Sequence, residues 1–383
     1  MRSSKRSDAS LRSIQRDVSQ RLMLCQQALS EQRVDALFLS PGANQCYVSG
    51  FLEPPSERFL CLIVPAVGTP VFVAPEMYEH QIEEACWLDP IEILVWEDGQ
   101  GPRASIGRVL DGLVLRSRRV LIDDQMWASS SIVLRELLSD CTFDVASSLL
   151  GNLRERKSDA ELALLQEAAA ITDEAFRSSV LCGGLVGLTE RQLAARLRDA
   201  LLEEEAQDIV GIMIASGARS ANPHYRGGER VIEAGDSVTI DFGCRWHGYC
   251  SDMTRTVVCG PPSKELVSVH HAVEEAQEAA FRSVRVGAYA RDVDSIARQV
   301  LAKSGYADAF VHRTGHGVGL DIHEEPYIGS ASETRLAAGM TFSIEPGVYL
   351  PGHFGVRIED VVAVRDAGGE RLNSIGHELF VLT

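Results

Sequence analysis

The sequence has few positive charges, and this shortage excludes several classes of partner. Its 37 Lys and Arg residues are outnumbered by 54 Asp and Glu residues, which gives a formal net charge of −17 at pH 7. Only four of the basic residues are lysines: Lys5, Lys157, Lys264 and Lys303. A polyanion or an anionic membrane surface attracts proteins of the opposite charge. We therefore expect neither nucleic acid nor a membrane among the partners.

The sequence also lacks an apolar run of about 18 residues, the length that a membrane-spanning helix needs. Its first 20 residues are rich in Arg and Ser and have no apolar core of the kind that a secretory signal requires. We expect residues 1–20 to form a flexible N-terminus. The nine cysteines include no C-x-x-C pair, and an odd number in so long a chain does not indicate a disulfide framework. Reduced thiols and a cytoplasmic location are the expectation.

The length indicates two domains, because 383 residues exceed the size at which a single hydrophobic core keeps growing. Between residues 21 and 151, short apolar strands alternate with amphipathic helices. This pattern predicts a layered α/β domain, and it contains no compact cluster of ligand-type side chains. The second domain is expected over residues 152–383. Ser158, with Glu161 three residues later, has the pattern of a capping box at its first helix.

The apolar periodicity of the second domain predicts both helices and strands. Helices are expected over residues 158–181, 189–206, 263–285 and 291–304, and strands over 209–216, 238–243, 340–346, 356–364 and 377–382. The chain is therefore predicted to combine α/β and α+β organisation.

The densest group of potential ligands lies in the glycine-rich segment of residues 310–326. It contains His312, His316 and His323, three of the ten histidines, and glycines flank His316. Glycine lets other groups approach the backbone closely, so His316 is better placed to reach a ligand than to pack in a core. The alternative that this segment alone leaves open is a turn with solvated histidines.

Asp241 and Asp252 lie in a stretch that is predicted to form a hairpin. A turn at Trp246 and His247 would place the two aspartates directly opposite each other. Directly opposed residues share one face of a sheet, with Cβ atoms roughly 4.5–5.5 Å apart. Two carboxylates at that separation repel each other unless a positive charge lies between them.

The same arrangement occurs again near the C-terminus. A turn centred on Gly352 would place Glu345 opposite Glu359, and Arg357 would lie on the same strand face as Glu359. Unpaired carboxylates on a buried face are costly. A solvated sheet face would explain either pair alone. Both pairs together, with the glycine-flanked histidine between them in sequence, favour a functional site.

These residues form a candidate ligand set for metal ions. It comprises four carboxylates and one imidazole: Asp241, Asp252, His316, Glu345 and Glu359. Structural zinc sites favour Cys and His, whereas oxygen-rich ligand sets suit Mn²⁺. Two divalent ions bridged by carboxylates can hold a water or hydroxide as the nucleophile of a hydrolysis. Two divalent ions are therefore the expected cofactors, with Mn²⁺ favoured and Co²⁺ or Zn²⁺ as alternatives.

Four motifs surround this ligand set. They are NPHY at residues 222–225, DFG at 241–243 with SDMTR at 251–255, HRTGHGVG at 312–319 with HEEP at 323–326, and EPG at 345–347 with VRIED at 356–360. They resemble the metallopeptidases with the pita-bread fold, in particular the proline-specific branch of prolidase and aminopeptidase P. Residues 44–51 likewise resemble the strand-turn signature of that branch's N-terminal domain. The resemblance implies a creatinase/prolidase-type domain over 21–151 and, over 152–383, a pita-bread catalytic domain whose antiparallel sheet is flanked by helices.

The resemblance also implies how the metal ligands divide their roles. Asp241 would bind one ion, and His316 and Glu345 would bind the other. Asp252 and Glu359 would bridge the two ions. Glu345 would in addition act as a general acid and base.

Five further residues acquire substrate-related roles from the resemblance. His224 and His323 would stabilise the tetrahedral intermediate and contact the scissile carbonyl or the leaving nitrogen. His312 and Arg357 would line the proline pocket or support the ligands. Tyr349 would form a hydrogen bond near Glu345.

The implied activity is hydrolysis of the bond between an N-terminal residue and proline, with a metal-bridging hydroxide as nucleophile. An Xaa-Pro dipeptidase and an Xaa-Pro aminopeptidase both fit, and the substrate would be a proline-containing dipeptide or longer peptide. The alternative on the same scaffold is a metal-dependent hydrolase or lyase of a small amide or ring, related to creatinase. A binding protein on an inactive scaffold is disfavoured, because all five ligand positions are filled. The resemblance further implies a homodimer.

Overall fold

The chain divides into two units between Arg154 and Glu155: Leu11–Arg154 form one unit and Glu155 begins the other. The computed structural model describes the backbone of residues 3–382 and the side chains of residues 10–382. The boundary predicted from the sequence lies at residue 151, a few residues earlier. Over the described part of the chain, no helix has both the length and the apolar character that crossing a bilayer requires.

The N-terminal unit is built around a mixed sheet of six strands in the order β4-β3-β2-β1-β5-β6. The strands are β1 (Ala36–Leu39), β2 (Cys61–Pro65), β3 (Val71–Pro75), β4 (Glu92–Trp96), β5 (Arg119–Ile122) and β6 (Thr142–Val145). Strand β2 pairs antiparallel with β1 and β3, while β5 pairs parallel with β1 and β6. Phe38, Val73 and Val120 are fully buried in the core of this sheet.

Within residues 3–154 the structure also has six α-helices. They are α1 (Ser3–Glu31), α2 (Ala43–Ser49), α3 (Glu79–Ala85, preceded by a 3-10 turn over Glu76–Tyr78), α4 (Arg103–Gly112), α5 (Ala128–Leu137) and α6 (Ser147–Arg154). Helix α1 corrects the prediction of a flexible N-terminus over residues 1–20. Ile14 and Val18 are buried one turn apart, and their burial stabilises the helix through this stretch. Residues 1 and 2 lie outside the described residues.

Helix α2 corrects a second prediction, because residues 44–51 were expected to form a strand and a turn. The segment is helical to Ser49, and Gly50 ends the helix with a φ of 79° and an N–H that donates to the Cys46 carbonyl. Tyr47 and Val48 favour strands by propensity. Both are buried in the helix, and burial outweighs intrinsic preference.

The C-terminal unit contains a sheet of ten strands whose main path is β12-β11-β13-β16-β10-β8-β7, all antiparallel. Its strands are β7 (Asp208–Ser216), β8 (Ser237–Trp246), β9 (Tyr249–Cys250), β10 (Met253–Cys259), β11 (Gly315–Gly317), β12 (Glu324–Ile328), β13 (Thr341–Ile344), β16 (Glu359–Arg365), β17 (Gly368–Arg371) and β18 (Phe380–Leu382), and a separate ribbon is formed by β14 (Gly347–Leu350) and β15 (Phe354–Arg357).

Helices flank this sheet, as the resemblance predicted. They are α7 (Asp159–Phe176, continued by a π-helical turn over Arg177–Leu181), α8 (Glu190–Glu203), α9 (Lys264–Ser283) and α10 (Ala290–Lys303), with 3-10 turns over Gly217–Ala221 and Ala307–Ala309. The predicted capping box of Ser158 and Glu161 is present at the start of α7. Ile240 packs with α7 and α8, and Phe342 packs with α9 and α10. Because side chains alternate along a strand, the neighbouring residues point to the opposite, open face.

The hairpin of β8 and β10 has a register that differs from the predicted one. Its turn lies at His247 and Gly248, which both have positive φ, 46° and 87°, as a two-residue type I′ turn requires. Asp241 therefore lies opposite Thr254 and not opposite Asp252. A shift of two residues keeps side chains on the same face, so the two aspartates still share the open face.

The second hairpin has the predicted register. Gly347 pairs with Arg357 in the ribbon, and Ile344 pairs with Asp360 in the sheet. Both pairings leave Glu345 opposite Glu359 at the point where ribbon and sheet meet. The prediction that these two glutamates face each other is confirmed.

Candidate metal centre

Neighbouring strands place four polar side chains in one row across the open face. Asp241 on β8 lies opposite Thr254 on β10, and Thr254 lies opposite Glu359 on β16. The register of β13 and β16 continues the row to Glu345. Directly opposed residues share a face, so the sheet brings the carboxylates of both hairpins together.

Asp252 and His316 complete the cluster. One ligand atom each of Asp252, His316 and Glu359 lies within 4.8 Å of the other two. His316 Nε2 is 3.6 Å from Asp252 Oδ2 and 3.4 Å from Glu345 Oε1. Two atoms that each lie about 2.1 Å from a shared ion are roughly 3–3.5 Å apart. These separations are long for hydrogen bonds and fit atoms that share an ion.

The imidazole of His316 presents Nε2 to the carboxylates. Its Nδ1 lies 3.1 Å from the Gly317 carbonyl oxygen. A carbonyl only accepts, so Nδ1 carries the hydrogen and Nε2 has a free lone pair. Metal-binding histidines usually donate their other N–H in this way. Burial lowers the pKa of His316 to about 3, which keeps the ring neutral at physiological pH.

The glycines around His316 allow the close strand packing that the sequence analysis expected. A Cβ atom at Gly315 would collide with the carbonyl oxygen of Ser343, and one at Gly317 would collide with that of Glu325. Strand β11 therefore needs glycine on both sides of the histidine in order to pair closely with β12 and β13.

The carboxylates are buried without enough positive charge from the protein. Burial raises the pKa of Asp252 and of Glu359 well above their ordinary values, and repulsion from the neighbouring carboxylates raises both further. Burial also raises the pKa of Glu345 to about 7, although the charge of Arg357 opposes the shift. Divalent cations would compensate these charges, so the ligand set fits a metal centre in both donor type and electrostatics.

A chain of hydrogen bonds connects Asp241 to His312. Arg357 Nη2 donates to Asp241 Oδ2 at 2.5 Å, and Arg357 Nη1 donates to the Tyr349 hydroxyl at 2.8 Å. His312 Nδ1 lies 2.8 Å from the Arg313 carbonyl and must donate to it. His312 Nε2 then accepts from Tyr349, 2.8 Å away. Burial lowers the pKa of His312 to about 4, which is consistent with this neutral form.

Nine of the ten predicted site residues line a single cavity of about 760 Å³. They include the five ligands, together with His224, His312, His323 and Arg357. The tenth, Tyr349, lies behind Arg357 and His312. The ring of His323 meets that of His316 edge-on, with centroids 4.1 Å apart, whereas His224 lies exposed on a turn.

Two hydroxyl groups in this site were not among the residues predicted from the sequence. Thr254 Oγ1 donates to Glu359 Oε2 at 2.6 Å and accepts from Arg357 Nε at 3.2 Å. Ser343 Oγ accepts from the His316 amide at 3.1 Å and donates to Glu345 Oε1 at 3.2 Å. Thr254 follows Asp252 by two residues and Ser343 precedes Glu345 by two. The strand period of two could have found both.

Two known families match this chain. Residues 163–366 match metallopeptidase family M24, and residues 21–156 match the creatinase/prolidase N-terminal domain. A probable dipeptidase PepE of Mycobacterium tuberculosis is 35% identical over 366 residues, which are 95% of this chain and 96% of that protein.

Solved structures are similar to this chain over nearly its whole length. A dipeptidase from Pyrococcus horikoshii is 41% identical with a TM-score of 0.87, over 94% of this chain and 100% of its own. A recombinant prolidase from Thermococcus sibiricus is 38% identical with a TM-score of 0.91, over 96% of this chain and 99% of its own. Both domains are therefore shared with these structures.

Proposed function

The chain belongs to metallopeptidase family M24, and on that premise we propose that it is a dinuclear metal-dependent peptidase that hydrolyses the bond between an N-terminal residue and proline. The main support is the row of carboxylates that meets His316 Nε2 in one buried cavity. The similarity to proteins named dipeptidase and prolidase supports the choice of substrate.

Five residues would hold the ions: Asp241, Asp252, His316, Glu345 and Glu359. When bound, the ions supply a hydroxide nucleophile near neutral pH and polarise the substrate carbonyl. An oxygen-rich ligand set favours Mn²⁺, and Co²⁺ or Zn²⁺ are the alternatives. By the resemblance, Asp252 and Glu359 would each contribute to holding both ions.

The protein's own side chains would then transfer the proton and stabilise the oxyanion. His323 lies against His316, and its pKa is lowered by burial and further by the charge of Arg313, so it offers a neutral ring with one N–H. We assign His323 and His224 to hydrogen bonds with the oxyanion and the leaving nitrogen. Glu345 Oε1 is engaged by Ser343, which leaves Oε2 to take up and release a proton as general acid and base.

His312, Tyr349 and Arg357 form the wall beside Asp241. Their hydrogen bonds fix the orientation of the Asp241 carboxylate through Arg357. We assign His312 and Arg357 to the pocket that receives the proline ring. Because Tyr349 is buried and its pKa is raised to about 12, its hydroxyl keeps its proton and remains a hydrogen-bond donor.

Two further features of the proposal concern the whole protein. The family resemblance supports a homodimer, which sedimentation analysis would test. All nine cysteines are reduced thiols, which supports a reducing compartment such as the cytoplasm.

The proposal is tested by assaying the Mn²⁺-loaded protein on Ala-Pro, Ala-Pro-Ala and Ala-Ala. We expect hydrolysis of a proline-containing substrate, none of Ala-Ala, loss of activity on chelation and recovery with Mn²⁺. Hydrolysis of neither proline-containing peptide would contradict the proposal and would favour a small-amide hydrolase on the same scaffold.

A further inference from the structure

The imidazole of His224 lines the catalytic cavity, but no hydrogen bond to the described residues 10–382 holds the ring in place. The hydrogen bond that His224 forms comes from its backbone N–H, which donates to Asn222 Oδ1 at 3.2 Å. By contrast, His312 and His316 each place a ring nitrogen within hydrogen-bond distance of a backbone carbonyl. The direction of the His224 side chain therefore depends on the backbone turn that carries it.

The irregular segment that carries His224 is tied to the start of helix α8 at its far end. The Arg191 N–H donates to the Gly228 carbonyl at 3.0 Å, and the Glu190 N–H donates to the Arg230 carbonyl at 3.0 Å. Amides in the first turn of a helix have no partner within the helix, so the segment satisfies them. These bonds fix the end of the segment, and the turn four residues before Gly228 needs an anchor of its own.

Tyr225 provides this anchor, because its side chain reaches Glu190. Pro223, His224 and Arg226 line the cavity, whereas the Tyr225 hydroxyl donates to Glu190 Oε2 at 3.1 Å. Burial and the hydrogen bond to Glu190 raise the pKa of Tyr225, so the hydroxyl keeps its proton and remains a donor. Since Tyr225 directly follows His224, holding its hydroxyl fixes the backbone from which the imidazole projects.

Glu190 is itself held firmly in place. It is fully buried, and its Oε1 accepts from the N–H of Ser216 at 2.9 Å and from the Ser216 hydroxyl at 2.7 Å. Its Oε2 accepts from Tyr225 and, at 3.4 Å, from Arg219 Nη1. Arg219 Nη1 also donates to the Tyr225 hydroxyl. A buried carboxylate with both oxygens engaged in this way is a fixed point for the tyrosine.

Gly228 leaves the space that the Tyr225 hydroxyl occupies. A Cβ atom at Gly228 would lie 2.9 Å from that hydroxyl and 3.5 Å from Arg219 Nη1. The first of these distances is too short for a carbon that forms no bond to the oxygen, so glycine is needed here for close approach. The segment is therefore shaped around the contact between Tyr225 and Glu190.

We propose that Tyr225 and Glu190 are positioning residues, which act on the reaction through His224 and do not touch the substrate; the proposal rests on the function proposed above. In that function His224 forms a hydrogen bond to the oxyanion or the leaving nitrogen. Such a bond depends steeply on geometry, since a misplacement of about 1 Å can cost about 100-fold in rate. Loss of the tether should lower kcat and leave KM unchanged, because the bond is made in the transition state.

The test is a double-mutant cycle of Tyr225→Phe and His224→Ala, in which the Mn²⁺-loaded enzyme is assayed on the better of Ala-Pro and Ala-Pro-Ala. We expect Tyr225→Phe to lower kcat by about 10-fold, with KM and the metal content unchanged. In the His224→Ala background, which lacks the imidazole that the tether positions, Tyr225→Phe should change kcat by less than about 2-fold.

Tyr289→Phe is the matched control. The Tyr289 hydroxyl also accepts from an arginine, Arg335 Nη2 at 2.7 Å, whose guanidinium lies over the tyrosine ring. Tyr289 does not line the catalytic cavity, so this variant should keep the wild-type kcat. It controls for the general effect of removing a tyrosine hydroxyl that pairs with arginine.

Amide hydrogen exchange of the metal-free protein tests the tether without a substrate. The N–H groups of His224 and Tyr225 donate within the turn. Both should exchange about 10-fold faster in Tyr225→Phe, because opening of the turn no longer breaks a hydrogen bond to a charged group. Tyr289→Phe should leave both rates unchanged.

Several results would overturn the proposal: an unchanged kcat in Tyr225→Phe, an equal loss of kcat with and without the His224 imidazole, loss of metal from Tyr225→Phe, or an equal loss of kcat in Tyr289→Phe. Unchanged exchange at His224 and Tyr225 would overturn it as well. A wild-type enzyme that hydrolyses neither peptide would refute the proposed function itself, and the exchange rates would then still decide whether the tether exists.

Discussion

Glu359 and Asp360 are neighbours in β16, and both are almost completely buried, with 2% and 0% exposure. They point to opposite faces of the sheet. Asp360 accepts from Arg255 at 2.7 Å and from His377 at 2.6 Å. Glu359 instead faces other carboxylates, among them Asp252. We call the first side the paired face and the second the metal face.

The two faces have opposite electrostatics. At Asp360 burial raises the pKa, but Arg255 and His377 outweigh burial and hold the pKa below its ordinary value. At Glu359 burial raises the pKa and the neighbouring carboxylates raise it further. The protein itself compensates the charge of one carboxylate, whose role is structural. It leaves the charge of the other to be compensated by ions.

Substitution of a ligand on the metal face should have the largest effect. In Glu359→Ala we expect turnover of Ala-Pro to fall by roughly 1,000-fold or more, because a group shared by both ions is lost. The free energy of unfolding of the metal-free protein should not fall, since a buried unpaired carboxylate disappears. Asp252→Ala should behave in the same way. Turnover near that of the wild type in either variant would refute the two-metal assignment.

Substitution on the paired face should act on stability, with or without metal. Asp360→Asn leaves the Arg255 guanidinium buried without its anion, so we expect the free energy of unfolding to fall by about 3–5 kcal/mol. Urea unfolding with chelator and with Mn²⁺ would measure it. Glu359→Gln is the matched control, and an equal destabilisation of both variants in chelator would remove the distinction between the faces.

Substitution of His323 should affect catalysis without affecting metal binding on the metal face. We expect His323→Ala to lower turnover by about 100-fold, the contribution of a general acid or base, while elemental analysis finds the metal content unchanged. His316→Ala should lose metal together with activity. A His323→Ala protein that loses its ions would show that His323 supports the ligands and does not act on the substrate.

The carboxylates of the metal face should make the metal-free protein less stable as pH rises above about 6.5, the ordinary pKa of histidine, beyond which the buried His312 and His316 add little pH dependence. The pKa of Glu345 is about 7 in the folded chain against an ordinary value of 4.5. The proton bound by the folded state therefore stabilises it fully below about pH 4.5, and this contribution is lost as pH rises through about 7. The full change amounts to about 3 kcal/mol. Mn²⁺ should abolish it.

On the paired face, stability depends on pH in the opposite sense. Because the pKa of Asp360 is lowered, its carboxylate stabilises the folded state at higher pH, and this contribution is lost in acid. Thermal unfolding between pH 6.5 and pH 8.5, in chelator and in Mn²⁺, would measure the first dependence, whereas the second lies below about pH 3.8. A metal-free protein whose stability rises over this range would contradict the charges assigned to the metal face.

The metal face could be predicted largely from sequence. The strand period of two and a glycine turn were enough to place Glu345 opposite Glu359. The predicted register of the first hairpin was wrong by two residues. The turn includes His247, whose positive φ is one that residues other than glycine seldom adopt. The prediction that the two aspartates share a face was nevertheless correct, because the face to which a strand side chain points depends only on whether its position is odd or even.

The paired face could not be predicted, because its partners are far apart in sequence. Arg255 reaches Asp360 over 105 residues, and nothing local to either residue marks the pair. The same holds for α2, where burial of Tyr47 overrides a local preference for strand.

The central claim is that the metal face holds two ions in place of protons. Calorimetric titration of Mn²⁺ into the metal-free protein at pH 7, repeated in buffers of different ionisation enthalpy, counts both bound ions and released protons. We predict two ions per chain and a release of protons, with the release reduced in Glu359→Gln and retained in a stable variant of the paired face. Binding of fewer than two ions, or binding without proton release, would contradict the account.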